Sequence, residues 1–146
     1  MEKEERRRIA IGCDHAAFML KESVKKHLQA AGYEVCDYGC FSSESVDYPD
    51  MVHPLASDVN DGKIARGIVL CGSGIGVSMV ANKYPKVRCA LCWSVELARL
   101  CRQHNDANML ALGARFIPEQ EALEIVDAFL NTPFEGGRHQ GRVDKI

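Results

Sequence analysis

The chain predicts an α/β protein: a three-layer α/β/α, Rossmann-like fold around a five-stranded parallel sheet. Strand and helix signals alternate from end to end, the order of a parallel sheet with helices on both faces. Short apolar runs such as Arg66–Leu70 read as buried strands, and each is followed by helical spacing of apolar residues. The 146 residues suit one domain with a real core, so 1–146 is taken as a single unit without repeat, linker or low-complexity tract.

The first strand is Arg8–Cys13. Ala17, Leu20, Val24, Leu28 and Ala31 then recur at helical spacing, with Gly32 placed to end that helix. Tyr33–Tyr38 reads as the second strand, followed by a polar loop from Gly39 to Pro49. Asp50–Asn60 reads as helical, with Pro54 tolerable only near a first turn. Arg66–Cys71 is the third strand, Gly74–Asn82 the third helix and Val87–Cys92 the fourth strand. Ser94 can cap a helix that runs to about Gln103. Asn108–Leu112 is the fifth strand. Pro118, with Glu119 and Glu121 in the first turn, opens a helix to about Leu130. The remainder, Thr132–Ile146, is rich in glycine and basic residues. It has few apolar side chains with which to fold back on its own domain.

Composition excludes several classes of function. A net charge of -2 leaves no basic excess for nucleic acid. The Glu2–Arg8 run carries both signs and reads as a solvated terminus. No apolar run approaches the ~20 residues of a membrane span, and the charged start is unlike a secretory signal. The chain therefore reads as cytoplasmic, and its seven cysteines as thiols. Cys89 and Cys92 have the spacing of a metal pair, but on a strand positions i and i+3 face opposite sides. Cys36, Cys89, Cys92 and Cys101 read as small buried apolar residues. No His/Cys/Asp/Glu set has convincing metal-ligand spacing, so neither metal nor cofactor is expected.

Cys71-Gly72-Ser73-Gly74-Ile75-Gly76 is the most informative stretch. It sets a thiol at the end of a strand beside a glycine turn that opens a helix. Such a turn exposes backbone N–H groups, and the helix dipole favours an anion there, including a thiolate on Cys71. A tight turn without a ligand and a packed cysteine are the plain alternatives. The loop is not a dinucleotide fingerprint, whose third glycine would fall on Val77; a cysteine-phosphatase loop would need arginine there. Ligands in such folds bind at strand carboxyl ends. Asp14 and His15 follow the first strand, Cys71–Gly76 the third and Arg115 the fifth, so they would converge on one rim. Asp14-His15 is otherwise a helix cap with a surface histidine. His104-Asn105-Asp106 offers acid–base chemistry or a polar helix end. Arg138 and Arg142, four apart, would share a helix face and grip one phosphate, or form a solvated tail.

These motifs combine. Gly12-Cys13-Asp14-His15, Asp47-Tyr48-Pro49, Cys71–Gly76, Ala81-Asn82-Lys83, Arg102–Asp106 and Glu135–Gln140 run in an order that resembles the ribose-5-phosphate isomerase B family, which also contains galactose-6-phosphate isomerase subunits. The resemblance implies a metal- and cofactor-independent aldose–ketose isomerase of the pentose phosphate pathway, acting on ribose 5-phosphate through ring opening and an enediolate. It implies Cys71 as the proton-abstracting base, His104 with Asp14 as the ring-opening pair, and Ser73 as a donor to the developing charge. Phosphate contacts fall on His15, Arg115, Arg138 and Arg142; sugar contacts fall on Tyr48, Asn105 and the amides of Gly72, Gly74, Ile75 and Gly76. It further implies a homodimer or dimer of dimers with active sites at subunit interfaces, the 132–146 tail reaching a partner. Many members have threonine at Ser73, and serine keeps the hydroxyl. Another branch carries a glutamate base in the loop, where this chain has Ile75-Gly76 and no carboxylate. A hexose 6-phosphate substrate of the allose or galactose type, and a non-catalytic sugar-phosphate-binding module, are the competing expectations.

Overall fold

The apolar runs pair into one parallel sheet in a computed structural model that describes residues 6–146. Its strands are β1 (Arg8–Cys13), β2 (Glu34–Asp37), β3 (Arg66–Cys71), β4 (Cys89–Leu91) and β5 (Met109–Gly113). Six helices connect and follow them: α1 (Phe18–Ala30), α2 (Tyr48–Asn60), α3 (Ile75–Ala81), α4 (Val95–Asn105), α5 (Glu119–Asn131) and α6 (Arg138–Val143). The strand order is β2-β1-β3-β5-β4. Residues 2–5 of the Glu2–Arg8 charge run lie outside the described residues.

Alternation along the central strands builds two apolar layers. Ile9, Ile11, Ile68, Leu70, Leu110 and Leu112 face α1, α4 and α5, where Val24, Leu28, Ala98, Ile125 and Phe129 complete a core. Ala10, Val69, Cys71, Met109 and Ala111 face the other way, against Val52, Leu55, Ala56 and Val59 of α2 and Val77 and Ala81 of α3. The three-layer expectation holds, and Cys71 belongs to the α2/α3 layer.

Several boundaries differ from the sequence reading, each for a physical reason. The edge strands β2 and β4 pair on one side only, and they are shorter than the apolar runs that mark them. Helix α2 begins two residues early at Tyr48, with Pro49 in its first turn, and Pro54 lies in its interior. Pro54 cannot donate to the Asp50 carbonyl, yet the helix continues because Val52, Leu55, Ala56 and Val59 bury one face on either side of it. Ser94 caps α4 as expected, accepting from the Leu97 N–H at 3.2 Å. Cys92 and Cys101 are buried, but Cys36 and Cys89 are only half-buried. Burial pushes the Cys13 and Cys89 thiols up, which keeps them protonated.

The tail folds back, contrary to expectation, and does so through polar contacts. Thr132 O accepts from Arg102 Nε at 3.1 Å, and Glu135 N–H donates to Gln103 O at 3.1 Å. These bonds seat α6 beside α4.

At the other end of the sheet a buried ion pair shapes the rim. Lys21, fully buried, donates to Asp37 Oδ2 at 2.7 Å and to the Cys40 carbonyl at 2.6 Å. Burial alone would lower its pKa, but Asp37 and then Glu22 outweigh that and raise it. The pair holds the chain leaving β2 against β1, where Cys13 N–H donates to Gly39 O at 2.6 Å. Removing one partner of such a pair costs about 3–5 kcal/mol.

Gly113 marks the tightest approach at the rim. A Cβ there would stand 2.7 Å from the Ser73 carbonyl carbon, a backbone atom that cannot swing away. Gly113→Ala is expected to lower stability by about 1–3 kcal/mol or more in urea unfolding. Gly141→Ala, which meets no atom within 4 Å, is expected to leave it unchanged or raise it.

Candidate active site

The crevice between the carboxyl ends of β1 and β3 is the switch point of the sheet, since the chain leaves β1 toward β2 and leaves β3 toward β5 and β4. Cys13 pairs with Leu70 and Cys71 with Gly113, so the three strand ends lie level. Asp14 follows directly, its N–H donating to Leu70 O at 3.2 Å.

Cys71 is 5% exposed, and its sulfur accepts the Gly74 N–H at 3.1 Å. That bond is possible because Gly74 takes a left-handed backbone, φ 79°, under Leu112 and Leu91. Ser73 Oγ accepts the Ile75 N–H at 3.2 Å. Helix α3 has only seven residues, shorter than the sequence suggests, so the amides themselves carry the anion argument more than a macrodipole does. Its first internal bond runs from Ser78 N–H to Gly74 O. The Gly76 and Val77 amides therefore have no intrahelical acceptor.

Four further predicted residues join this rim. Asp14, 9% exposed, spends Oδ1 on the Ala16 N–H at 3.0 Å, so the helix-cap alternative is realised and one carboxylate oxygen remains. His15 Nδ1 is anchored on the backbone of Val46, 3.1 Å from its nitrogen and 3.3 Å from its oxygen. The Tyr48 ring lies against Gly76, 2.6 Å from where a Cβ would stand. Arg115 lies over Gly72, and its own N–H donates to the Gly72 carbonyl at 3.0 Å.

The remaining predicted residues lie at the opposite end of the sheet. His104 and Asn105 end α4, which feeds the start of β5. Met109 is level with Gly67 and Gly113 with Cys71, so four strand residues, about 13 Å, separate the two levels. The expected partnership of His104 with Asp14 is thus not formed within one chain. Instead His104 stacks on His139 with ring centroids 4.3 Å apart, and Glu135 Oε1 lies 3.7 Å from one Nε2 and 3.6 Å from the other. Arg138 and Arg142 flank His139 on α6 and are exposed, at the i,i+4 spacing that sequence reading required of a shared face.

Sequence reading assigned no role to Glu135 or His139. With His104 they form the one group among the described residues whose ligand atoms, all within 4.8 Å of one another, would suit a metal ion. Their separation along the chain concealed the set. The available signal was the i,i+4 spacing of Glu135 and His139 next to two arginines. The two rings are nearly parallel, 15° apart. No described helix is long and apolar enough to cross a membrane.

Fold and rim together define an α/β enzyme-like scaffold, with a thiol, a carboxylate, an imidazole and glycine-loop amides at one switch point. The chain belongs to the Ribose/Galactose Isomerase family, which it matches over residues 9–146. It is 46% identical over 140 residues to the ribose-5-phosphate isomerase B of Escherichia coli, covering 96% of this chain and 94% of that protein. Among solved structures, the ribose-5-phosphate isomerase B of Clostridium thermocellum superposes with a TM-score of 0.93 at 48% identity, over 94% of this chain and 93% of that one. That of Mycoplasma genitalium, solved with bound ribulose 5-phosphate, has a TM-score of 0.91 at 42% identity, over 94% and 92%.

Burial, then the charges of His104 and Arg138, push the His139 pKa below its ordinary value. A lowered histidine pKa means that the unfolded chain binds the proton more readily. Stability is therefore full above about pH 6.5 and is lost as pH falls toward the folded-state pKa. Melting temperatures recorded from pH 8 to pH 5 are expected to fall less steeply for His139→Asn than for the parent.

Proposed function

We propose that this protein interconverts D-ribose 5-phosphate and D-ribulose 5-phosphate, as a cytoplasmic homodimer or dimer of dimers whose active sites lie between subunits. The reading rests most directly on Cys71, a buried thiol at the switch point. It is held by the Gly74 amide beside Ser73, Asp14 and unspent helix-start N–H groups. The family membership supports the same reaction class, and the seven free cysteines suit a reducing compartment.

The proposed chemistry needs two proton movements. A cyclic sugar must open before its carbonyl exists, and an imidazole with a carboxylate can move the proton between ring oxygen and hydroxyl. His104 and Asp14 serve this step in the proposal. Because they lie at opposite ends of one sheet, His104 of a second subunit faces Asp14 of the first. The Cys71 thiolate then removes the C2 proton. Negative charge develops on the enediolate oxygens, where the Ser73 hydroxyl and the loop amides act as donors already in position. Returning the proton to C1, while the O2 hydroxyl proton passes to O1, gives the ketose. Arg138 and Arg142, with His15 and Arg115, hold the phosphate, and Tyr48 and Asn105 hold the sugar. That binding energy orients the reacting carbons.

Cys71→Ala is expected to abolish exchange of the C2 hydrogen with deuterated solvent while leaving the fold and catalysed ring opening intact. NMR in deuterated water reads both processes, and C2 exchange at the parent rate would exclude the thiol as base. A turnover panel of ribose, allose and galactose phosphates tests the substrate, with ribose 5-phosphate expected to be preferred.

Removing Arg138 or Arg142 is expected to raise KM by the equivalent of about 1.5–3 kcal/mol, the range for hydrogen bonds to a charged group. Steady-state kinetics of the single and double alanine variants measures it. Unaltered KM in the double variant would return both residues to the role of a solvated tail.

A further inference from the structure

A cavity of about 750 Å³ opens at the amino-terminal end of the sheet, away from the Cys71 rim. Its size suits a small organic ligand. Arg6, Arg7, Arg66 and Arg102 line it together with Tyr33 and Phe134. Among the described residues the one carboxylate on its wall, Asp106, is already shared: Arg102 donates to it at 2.9 Å and Arg88 at 3.5 Å. Among the described residues Arg6, Arg7 and Arg66 have no carboxylate partner.

Arg66 is the most telling of the four. It opens β3, and its head group is drawn in by the Leu130 carbonyl at 3.2 Å and by the Arg6 carbonyl. Its Nε is buried without a partner among the described residues. A buried donor left unmade is costly, more so on a charged group. Burial, together with the charges of Arg102 and Arg6, pushes the Arg66 pKa down. Arg6, Arg7 and Arg66 thus bring to the cavity cationic donors that no described carboxylate neutralises. The half-buried rings of Tyr33 and Phe134 add flat apolar walls. Arg6 and Arg7 precede the segment matched to the isomerase family.

We propose that this cavity is a second anion site, separate from the Cys71 rim, for a small molecule carrying a multiply charged phosphate group and a flat apolar part. Guanidinium pairs suit phosphate oxygens through bidentate hydrogen bonds, and the two aromatic walls suit a planar ring.

Calorimetric titration of the full chain at low salt tests it with three probes: pyrophosphate, ADP and adenosine. Pyrophosphate is expected to bind, ADP to bind more tightly, and adenosine to give no measurable heat. The double variant R6S/R7S should weaken ADP about ten-fold, a loss in line with charge-assisted hydrogen bonds, while sugar-phosphate turnover stays at the parent level. R138A/R142A should leave ADP affinity within about two-fold of the parent. ADP binding lost in R138A/R142A would assign the anion to the phosphate subsite of the isomerase. Equal ADP affinity in R6S/R7S and parent, or no heat from pyrophosphate and ADP at millimolar concentration, would overturn the proposal.

Discussion

The parallel register of β1, β3 and β5 is the constraint on which the chemistry of this molecule depends. Cys13 faces Leu70, and Cys71 faces Gly113, so three strand ends finish at one level and their following residues meet. A slip of one residue in β3 would turn Cys71 from the α2/α3 layer to the other face. The register is held from both sides. Isoleucines and leucines of the central strands fill one layer, and Ala10, Val69, Cys71, Met109 and Ala111 pack into the other. The Lys21–Asp37 pair fixes the chain beyond β2, and the close passage of Gly113 over Ser73 fixes the loop after β3. The glycine loop can then aim an amide at the Cys71 sulfur because its backbone has few other places to go.

The same connectivity that assembles the rim keeps His104 away from it. A right-handed crossover returns every helix end to the amino side of the sheet, and His104 lies in the last turn of such a helix. Asp14 and Cys71 therefore lie at one end, and His104, Asn105 and the α6 arginines at the other. Each end holds half of the groups that opening and isomerising a sugar phosphate would use. Two antiparallel copies would bring the halves together twice, as closed two-fold symmetry requires. The polar docking of the tail on α4 keeps Arg138 and Arg142 with His104.

Much of this was legible in the sequence. The central strands are apolar without interruption, and the Ser94 cap and the acidic first turn of α5 are written in single residues. The rim residues Asp14, His15, Cys71–Gly76 and Arg115 follow from the rule that ligands gather at strand carboxyl ends. Burial decided the rest. Pro54 stays inside a helix because four buried neighbours hold it there. The tail docks through backbone carbonyls, which leave no trace in residue type. Glu135 and His139 join His104 only through that docking, so their i,i+4 spacing marks a shared face but not its meeting with His104. The separation of His104 from Asp14 was implicit in the alternation of strands and helices, since it follows from the direction of each helix.

The proposed division of the site between two copies is tested most directly by complementation. Cys71→Ala and His104→Ala proteins are each assayed on cyclic ribose 5-phosphate, then mixed under conditions that allow subunits to exchange. A mixed dimer would hold one site with both Cys71 and His104 intact, so activity should recover to about one quarter of the parent at equal mixing. A mixture no more active than the two variants measured separately would contradict a site shared between subunits.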